Sequence, residues 1–179
     1  MGGSIEIKSE EGVGSSFIIR IPFKIASAPI RVKEQKTEAT IENLNLLLAE
    51  DNELNAEIAE MLLSDEGAKI TVVKNGLQAV KAFQENPCNY FDAILMDIMM
   101  PVMDGLAATE AIRAAAREDA KTIPLIAMTA NAFQEDQEQC YKAGMNAHLA
   151  KPLNMEKVIR TIYEQCSYKL SGRQQNKKT

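Results

Sequence analysis

From Leu44 onward, short apolar runs alternate with segments of helical period, and the alternation repeats five times. The runs are Leu44–Ala49, Lys69–Val73, Phe91–Met96, Ile123–Met128 and Asn146–Ala150. They are strand-length and rich in Leu, Ile and Val, the pattern of strands covered on both faces. Between them the apolar spacing changes. Leu54, Ile58, Met61 and Leu62 follow Asn52 at helical intervals, and Asn75–Glu85 carries Leu77, Val80 and Phe83 before Pro87 stops it. Further helices are predicted from about Asp104 to Glu118, from about Asn131 to Ala143, and around Met155, Ile159 and Ile162. Strands alternating with helices build a parallel sheet with helices on both faces. The expected architecture is therefore α/β, a doubly wound five-stranded parallel sheet of order 2-1-3-4-5.

Such a sheet holds its ligand outside the carboxyl ends of the strands, where the strand order reverses, here between the first strand and the third. Those two strands end in Glu50-Asp51 and in Asp97. Three carboxylates converging on one crevice repel one another. A hard divalent cation relieves that repulsion, and Mg²⁺, which takes oxygen ligands and keeps several waters, suits the set. The fourth strand ends in Thr129 beside the small Ala130, and the fifth runs into Lys151-Pro152. A metal and a lysine neutralise phosphate oxygens while a hydroxyl donates to them, so the strand ends together describe a phosphoryl-transfer site. A carboxylate so placed can itself be the nucleophile and form an aspartyl phosphate. Each residue alone has a plainer reading, as a turn former, a helix cap or a Lys-Pro turn. Four strand ends carrying compatible chemistry favour the site.

Composition narrows the alternatives. The chain has 179 residues, 46% hydrophobic and 25% charged, the balance of a soluble globular protein. A net charge of −5 argues against nucleic-acid binding, which needs a basic surface. Cys88, Cys140 and Cys166 are odd in number and form no CxxC, so neither a disulfide framework nor a zinc site is expected. No apolar run approaches the roughly 20 residues of a membrane span, and the first residues lack the form of a secretory signal. A cytoplasmic protein with reduced thiols and no membrane contact of its own is expected.

Residues 1–24 differ in character. Ile5–Lys8 alternates with period two, Ser16–Ile21 is a more apolar strand ending at Pro22, and Glu10–Gly14 is turn material, so a β-hairpin is predicted. Residues 25–43 are polar, charged and aperiodic, as a linker is. Residues 167–179, with Lys169, Arg173, Lys177 and Lys178 and no acid, read as a disordered basic tail.

The motifs LLLAEDN, ILMDIMMPVMDG, PLIAMTA and HLAKPL stand in the order and spacing of a known family. Residues 44–166 resemble a receiver domain, the phosphorylatable flavodoxin-like module of two-component response regulators and hybrid histidine kinases. The resemblance implies that Asp97 is the phosphoacceptor and that Asp51 binds Mg²⁺ directly, Glu50 through water. It implies that the Met99 backbone carbonyl is a further ligand, that Thr129 is the switch hydroxyl, and that Lys151 pairs with the phosphoryl group across a cis bond to Pro152. His148, the single histidine, stands where the family usually places a switch Tyr or Phe. Met99 puts an apolar side chain two residues past Asp97, where some receivers carry a polar group that assists hydrolysis. Slow self-dephosphorylation is the resulting expectation.

The opening hairpin resembles the last two strands of a histidine kinase ATP-binding domain, including its GxGSxF turn at Gly12–Phe17. Gly12 and Gly14 have no helix behind them, so a nucleotide site is not expected there. The resemblance implies the C-terminal part of a hybrid sensor histidine kinase, itself no enzyme, whose parent can be membrane-anchored. Its donor would be a phosphohistidine, on the parent kinase or on a phosphotransfer domain. Two strands alone are marginal in water, so the hairpin is expected to dock on the receiver or to pair with a second copy. Two other functions fit these residues less well. A non-phosphorylated interaction module has no need of Asp51, Asp97, Thr129 and Lys151 together, and an aspartyl-phosphate hydrolase needs a substrate-binding cap longer than any loop here.

Overall fold

The computed structural model describes residues 2–10, 12, 14–22, 39–130 and 134–175. The chain divides into two compact units, Met1–Gln35 and Lys36–Thr179. The first holds an antiparallel hairpin of β1 (Ser4–Glu10) and β2 (Gly14–Arg20), slightly longer than the predicted strands. Register Ile5↔Ile19 and Ile7↔Phe17 places these four on one face, each 61–68% exposed, because the side-chain period of a strand is two. Glu6, Lys8 and Arg20 occupy the other face, where Arg20 donates to Glu6 at 3.3 Å.

The second unit carries the predicted sheet. Its strands are β3 (Asn45–Ala49), β4 (Lys69–Val73), β5 (Ala93–Asp97), β6 (Leu125–Thr129) and β7 (Ala147–Ala150). All pair in parallel in the order β4-β3-β5-β6-β7, which is 2-1-3-4-5 within this unit. Alternate residues of each strand enter different cores. Leu47, Ile94, Met96, Leu125 and Ala127 join α2 (Gly76–Glu85), α3 (Gly105–Ala114) and α4 (Gln134–Ala143) on one face. Leu46, Leu48, Leu95, Ile126 and Met128 join α1 (Glu53–Asp65) and α5 (Met155–Gln175) on the other. Burial on both faces is why β3, β5 and β6 read as nearly unbroken apolar runs, while the edge strands β4 and β7 are only partly covered and keep Lys69, Thr71 and His148.

Several boundaries differ from the sequence reading. The ordered unit starts before Leu44, since Ile41 is fully buried in the α1–α5 core and Leu44 N–H donates to its carbonyl. Helix α1 turns its small residues inward. Ala56, Ala59 and Leu63 are buried, while the larger Leu54, Ile58, Met61 and Leu62 that signalled the helix remain 38–64% exposed. Short side chains let the helix lie close to the sheet, so the apolar period marked the outer stripe. Leu77 of α2 is exposed too, with Ala79, Val80 and Phe83 facing the core. The last helix runs on to Gln175, where a disordered end was expected from residue 167. Cys166 is still buried on it, and the next nine residues hold one glycine and no proline to stop it. The start expected for α4 near Asn131, most of the linker and residues 176–179 lie outside the described residues.

Helix α3 ends at Ala114 instead of Glu118, because the chain is drawn back into a clamp on the end of α2. The Arg117 guanidinium sits 4.2 Å from the Phe83 ring centroid and donates to the carbonyls of Phe83, Asn86 and Pro87. It also grips both oxygens of the buried Asp119 at 2.9 Å, and Asn89 N–H donates to the same carboxylate at 2.6 Å. The Arg117 hydrogen bonds, reinforced by the Asn89 amide, outweigh burial and hold the Asp119 carboxyl down from 3.8 to about 2. A carboxyl depressed on folding contributes stability above its unfolded value, and that stability is lost as pH falls toward the folded one. We expect Asp119→Asn to cost about 2 kcal/mol at pH 7 by urea unfolding. The gap from wild type should close between pH 4 and pH 2, and a pH-independent gap would refute this account.

Candidate functional site

Glu50 follows β3, Asp97 ends β5, Thr129 ends β6, and Lys151 follows β7 directly. Parallel pairing puts all of these carboxyl ends on one edge, and the crossovers leave the crevice between β3 and β5 open. There the ammonium of Lys151 donates to Glu50 Oε2 and to Asp97 Oδ2, each at 2.6 Å. Asp97 Oδ1 accepts from the Met99 N–H at 3.2 Å. Glu50 Oε1 accepts from the Asn55 side chain at 3.2 Å. Glu50, Asp97 and Thr129 are buried, Asp51 is exposed, and Lys151 is partly covered.

Burial raises the Asp97 pKa and nearby Glu50 adds to the rise, while Lys151 and the Met99 amide pull against it. Burial works against the Lys151 ammonium, but its bonds to Asp97 and Glu50 prevail and its pKa is raised. Lys151 is thus a firmly held cation between two carboxylates. Glu50, Asp51 and Asp97 each offer an oxygen within 4.8 Å of the others. Three carboxylates against one ammonium leave excess negative charge, and an oxygen-only donor set fits a hard cation of the Mg²⁺ type.

The remaining expected residues are near the same edge. The Thr129 carbonyl accepts from Lys151 N–H at 2.7 Å, which ties the β6 end to the lysine. The Lys151–Pro152 peptide is cis. Met99 is 73% exposed, so its side chain flanks the crevice without filling it. His148 lies in register with Ala127, its Nδ1 3.3 Å from the Tyr141 hydroxyl and the two rings edge-on. Burial, then Lys157, lowers the His148 pKa, so the ring is neutral at pH 7. Sequence reasoning missed Asn55 and Tyr141. The signal for Asn55 was available, since it lies one helical turn beyond Asn52, the residue that immediately follows the acidic strand end.

The sequence profile described as the response regulator receiver domain matches residues 46–163, well over half of the chain. The chain belongs to the receiver domain family. A hybrid signal transduction histidine kinase of Dictyostelium discoideum is 39% identical over 126 residues, covering 69% of this chain and 7% of the kinase. The receiver domain of a sensor histidine kinase from Pseudomonas aeruginosa PAO1, solved with magnesium in its active-site cleft, is 41% identical. It superposes with a TM-score of 0.63 over 70% of this chain and 98% of its own. A Saccharomyces cerevisiae response-regulator receiver, crystallised with a histidine phosphotransfer signaling protein, is 26% identical. Its TM-score is 0.63 over 72% of this chain and 92% of its own. The chain spans only 7–18% of the length of the curated kinases it matches. Among the described residues no helix is long and apolar enough to cross a membrane.

Proposed function

We propose that this receiver domain accepts a phosphoryl group from a phosphohistidine onto Asp97, with Mg²⁺, as a module of a hybrid sensor histidine kinase. The observation that carries the proposal is Lys151 clamped 2.6 Å from both Glu50 and Asp97, with Asp51 completing an oxygen cluster at the same strand ends. A pseudo-receiver serving only as a binding surface has no use for that charge arrangement.

An Asp97 carboxylate oxygen attacks the phosphorus, the P–N bond to the donor imidazole breaks, and the imidazole leaves with the bonding electron pair. Mg²⁺, when held by Glu50, Asp51, Asp97 and the Met99 carbonyl, supplies positive charge for the phosphoryl oxygens. Lys151 turns its ammonium from Asp97 to the incoming phosphoryl group, and the Thr129 hydroxyl donates to it. Thr129 and His148, on adjacent strands, then shift the β6–β7 edge between two states. The donor is a protein. The groove beside Lys151 is lined by Ile58, Leu62, Pro152 and Leu153, apolar surface suited to a protein donor.

On this reading residues 1–24 are the end of an ATP-binding domain, 25–43 a linker and 44–166 the receiver, in a cytoplasmic location. The exposed apolar face of Ile5, Ile7, Phe17 and Ile19 supports pairing of two hairpins.

The test is intact mass after incubation with acetyl phosphate or a phosphorylated phosphotransfer domain, with Mg²⁺ or with chelator. One added phosphoryl group that requires Mg²⁺ is expected. No gain from either donor would sink the reading. The exposed Met99 side chain offers no hydrogen bond to an attacking water, so the acyl phosphate should be long-lived. Met99→Asn should shorten its half-life up to about tenfold, the worth of one added hydrogen bond. An unchanged half-life of seconds in both proteins would count against this.

A further inference from the structure

The mechanism leaves one contact of the site unused, the amide of Asn55. Glu50 is 3% exposed, so its carboxylate must be held by donors from the protein. One donor is Lys151 on Oε2, which is shared with Asp97. The other is Asn55 Nδ2 on Oε1 at 3.2 Å. An ionised carboxylate only accepts, so the nitrogen of the Asn55 amide must face it. When Lys151 turns to a phosphoryl group, Glu50 loses its charged donor, while the Asn55 bond depends on neither Asp97 nor the phosphoryl group.

The backbone fixes Asn55 in turn. Asn52 is the N-cap of α1, and its side-chain oxygen accepts from Asn55 N–H at 3.1 Å. The chain therefore leaves β3 at Glu50, is capped at Asn52, and one turn later returns a side chain to the residue it has just left. Rotation of a glutamate carboxylate about its last torsion is nearly free. A donor on Oε1 removes that freedom and keeps Oε2 turned toward Lys151 and the Asp51–Asp97 cluster.

We propose that Asn55 is a positioning residue for the cation site, acting through Glu50 to hold its carboxylate in the orientation that receives Mg²⁺. This rests on the Mg²⁺-dependent phosphoacceptor reading above, and its test does not pass through phosphoryl transfer. Mg²⁺ affinity is measured by calorimetry on the full chain. Asn55→Ala should raise the Kd roughly tenfold or more, the usual cost of losing a group that orients a ligand. In a Glu50→Ala background the same substitution should change the Kd no further. Asp119→Asn, destabilised at a clamp remote from the cluster, reports what lost stability alone does to the Kd. Asn55→Ala binding as wild type does, losing no more than Asp119→Asn, or keeping its full effect without Glu50 would overturn the proposal. Wild-type protein that takes up no Mg²⁺ would remove the phosphoacceptor reading as well.

Discussion

Asp97→Ala is expected to gain no phosphoryl group under conditions in which the wild-type chain is modified, a complete loss by intact mass. The neighbouring carboxylates cannot substitute. Glu50 is buried with both oxygens engaged by Asn55 and Lys151, and Asp51 is exposed and lies outside the Lys151 bridge. A nucleophile needs its lysine and its cation together, since most of the barrier to phosphoryl transfer is removed by positioning and charge. Stability should move the other way. The Asp97 pKa is raised, foremost by burial, so the folded chain binds the Asp97 proton more tightly than the unfolded chain does. At pH 7 the ionised carboxylate therefore opposes folding, and that cost is relieved as pH falls through the folded value. Alanine removes it and leaves Lys151 paired with Glu50 alone, so urea unfolding without Mg²⁺ should show Asp97→Ala at least as stable as wild type. A phosphorylated Asp97→Ala protein would move the acceptor elsewhere and end the assignment.

That trade of stability for chemistry is partly visible in the sequence itself. Period two marked the hairpin and apolar runs between helices marked the sheet, because burial on both faces leaves few polar residues inside the central strands β3, β5 and β6. Carboxylates, a hydroxyl and a lysine at strand ends were legible for the complementary reason, since polar groups closing buried strands have no packing role. Distance hid the rest. Lys151 is 101 residues from Glu50 and 54 from Asp97, and only the sheet order joins them. Helix α1 misled because its periodic residues were large and outward while its core contact runs through Ala56, Ala59 and Leu63. The Arg117 clamp was invisible because guanidinium bonds to carbonyls leave no trace in residue pattern.

Gly105→Ala is expected to cause the largest loss of stability of the substitutions considered. Gly105 opens α3 under the end of β5, and its N–H donates to the Ile98 carbonyl at 2.9 Å. A methyl group there would collide with the Asp97 carbonyl oxygen and lie 3.0 Å from the Asp97 carbonyl carbon and the Ile98 Cα. These are backbone atoms, so no side chain can swing aside, and either α3 or the strand end must move. Overpacking costs typically 1–3 kcal/mol and more against rigid backbone, whereas alanine's better helix propensity returns at most about 1 kcal/mol. The collision wins, for a net loss of roughly 2–3 kcal/mol and a Tm lower by roughly 5–10 °C. Function should fall further than stability, because the displaced atoms are those of the acceptor. A shift of about 1 Å can cost 10²-fold in rate, and we expect that order of loss in phosphorylation measured below the lowered Tm, where the variant is folded. A Gly105→Ala protein that melts with wild type and is phosphorylated at its rate would mean that the close approach of α3 does not hold Asp97 in place.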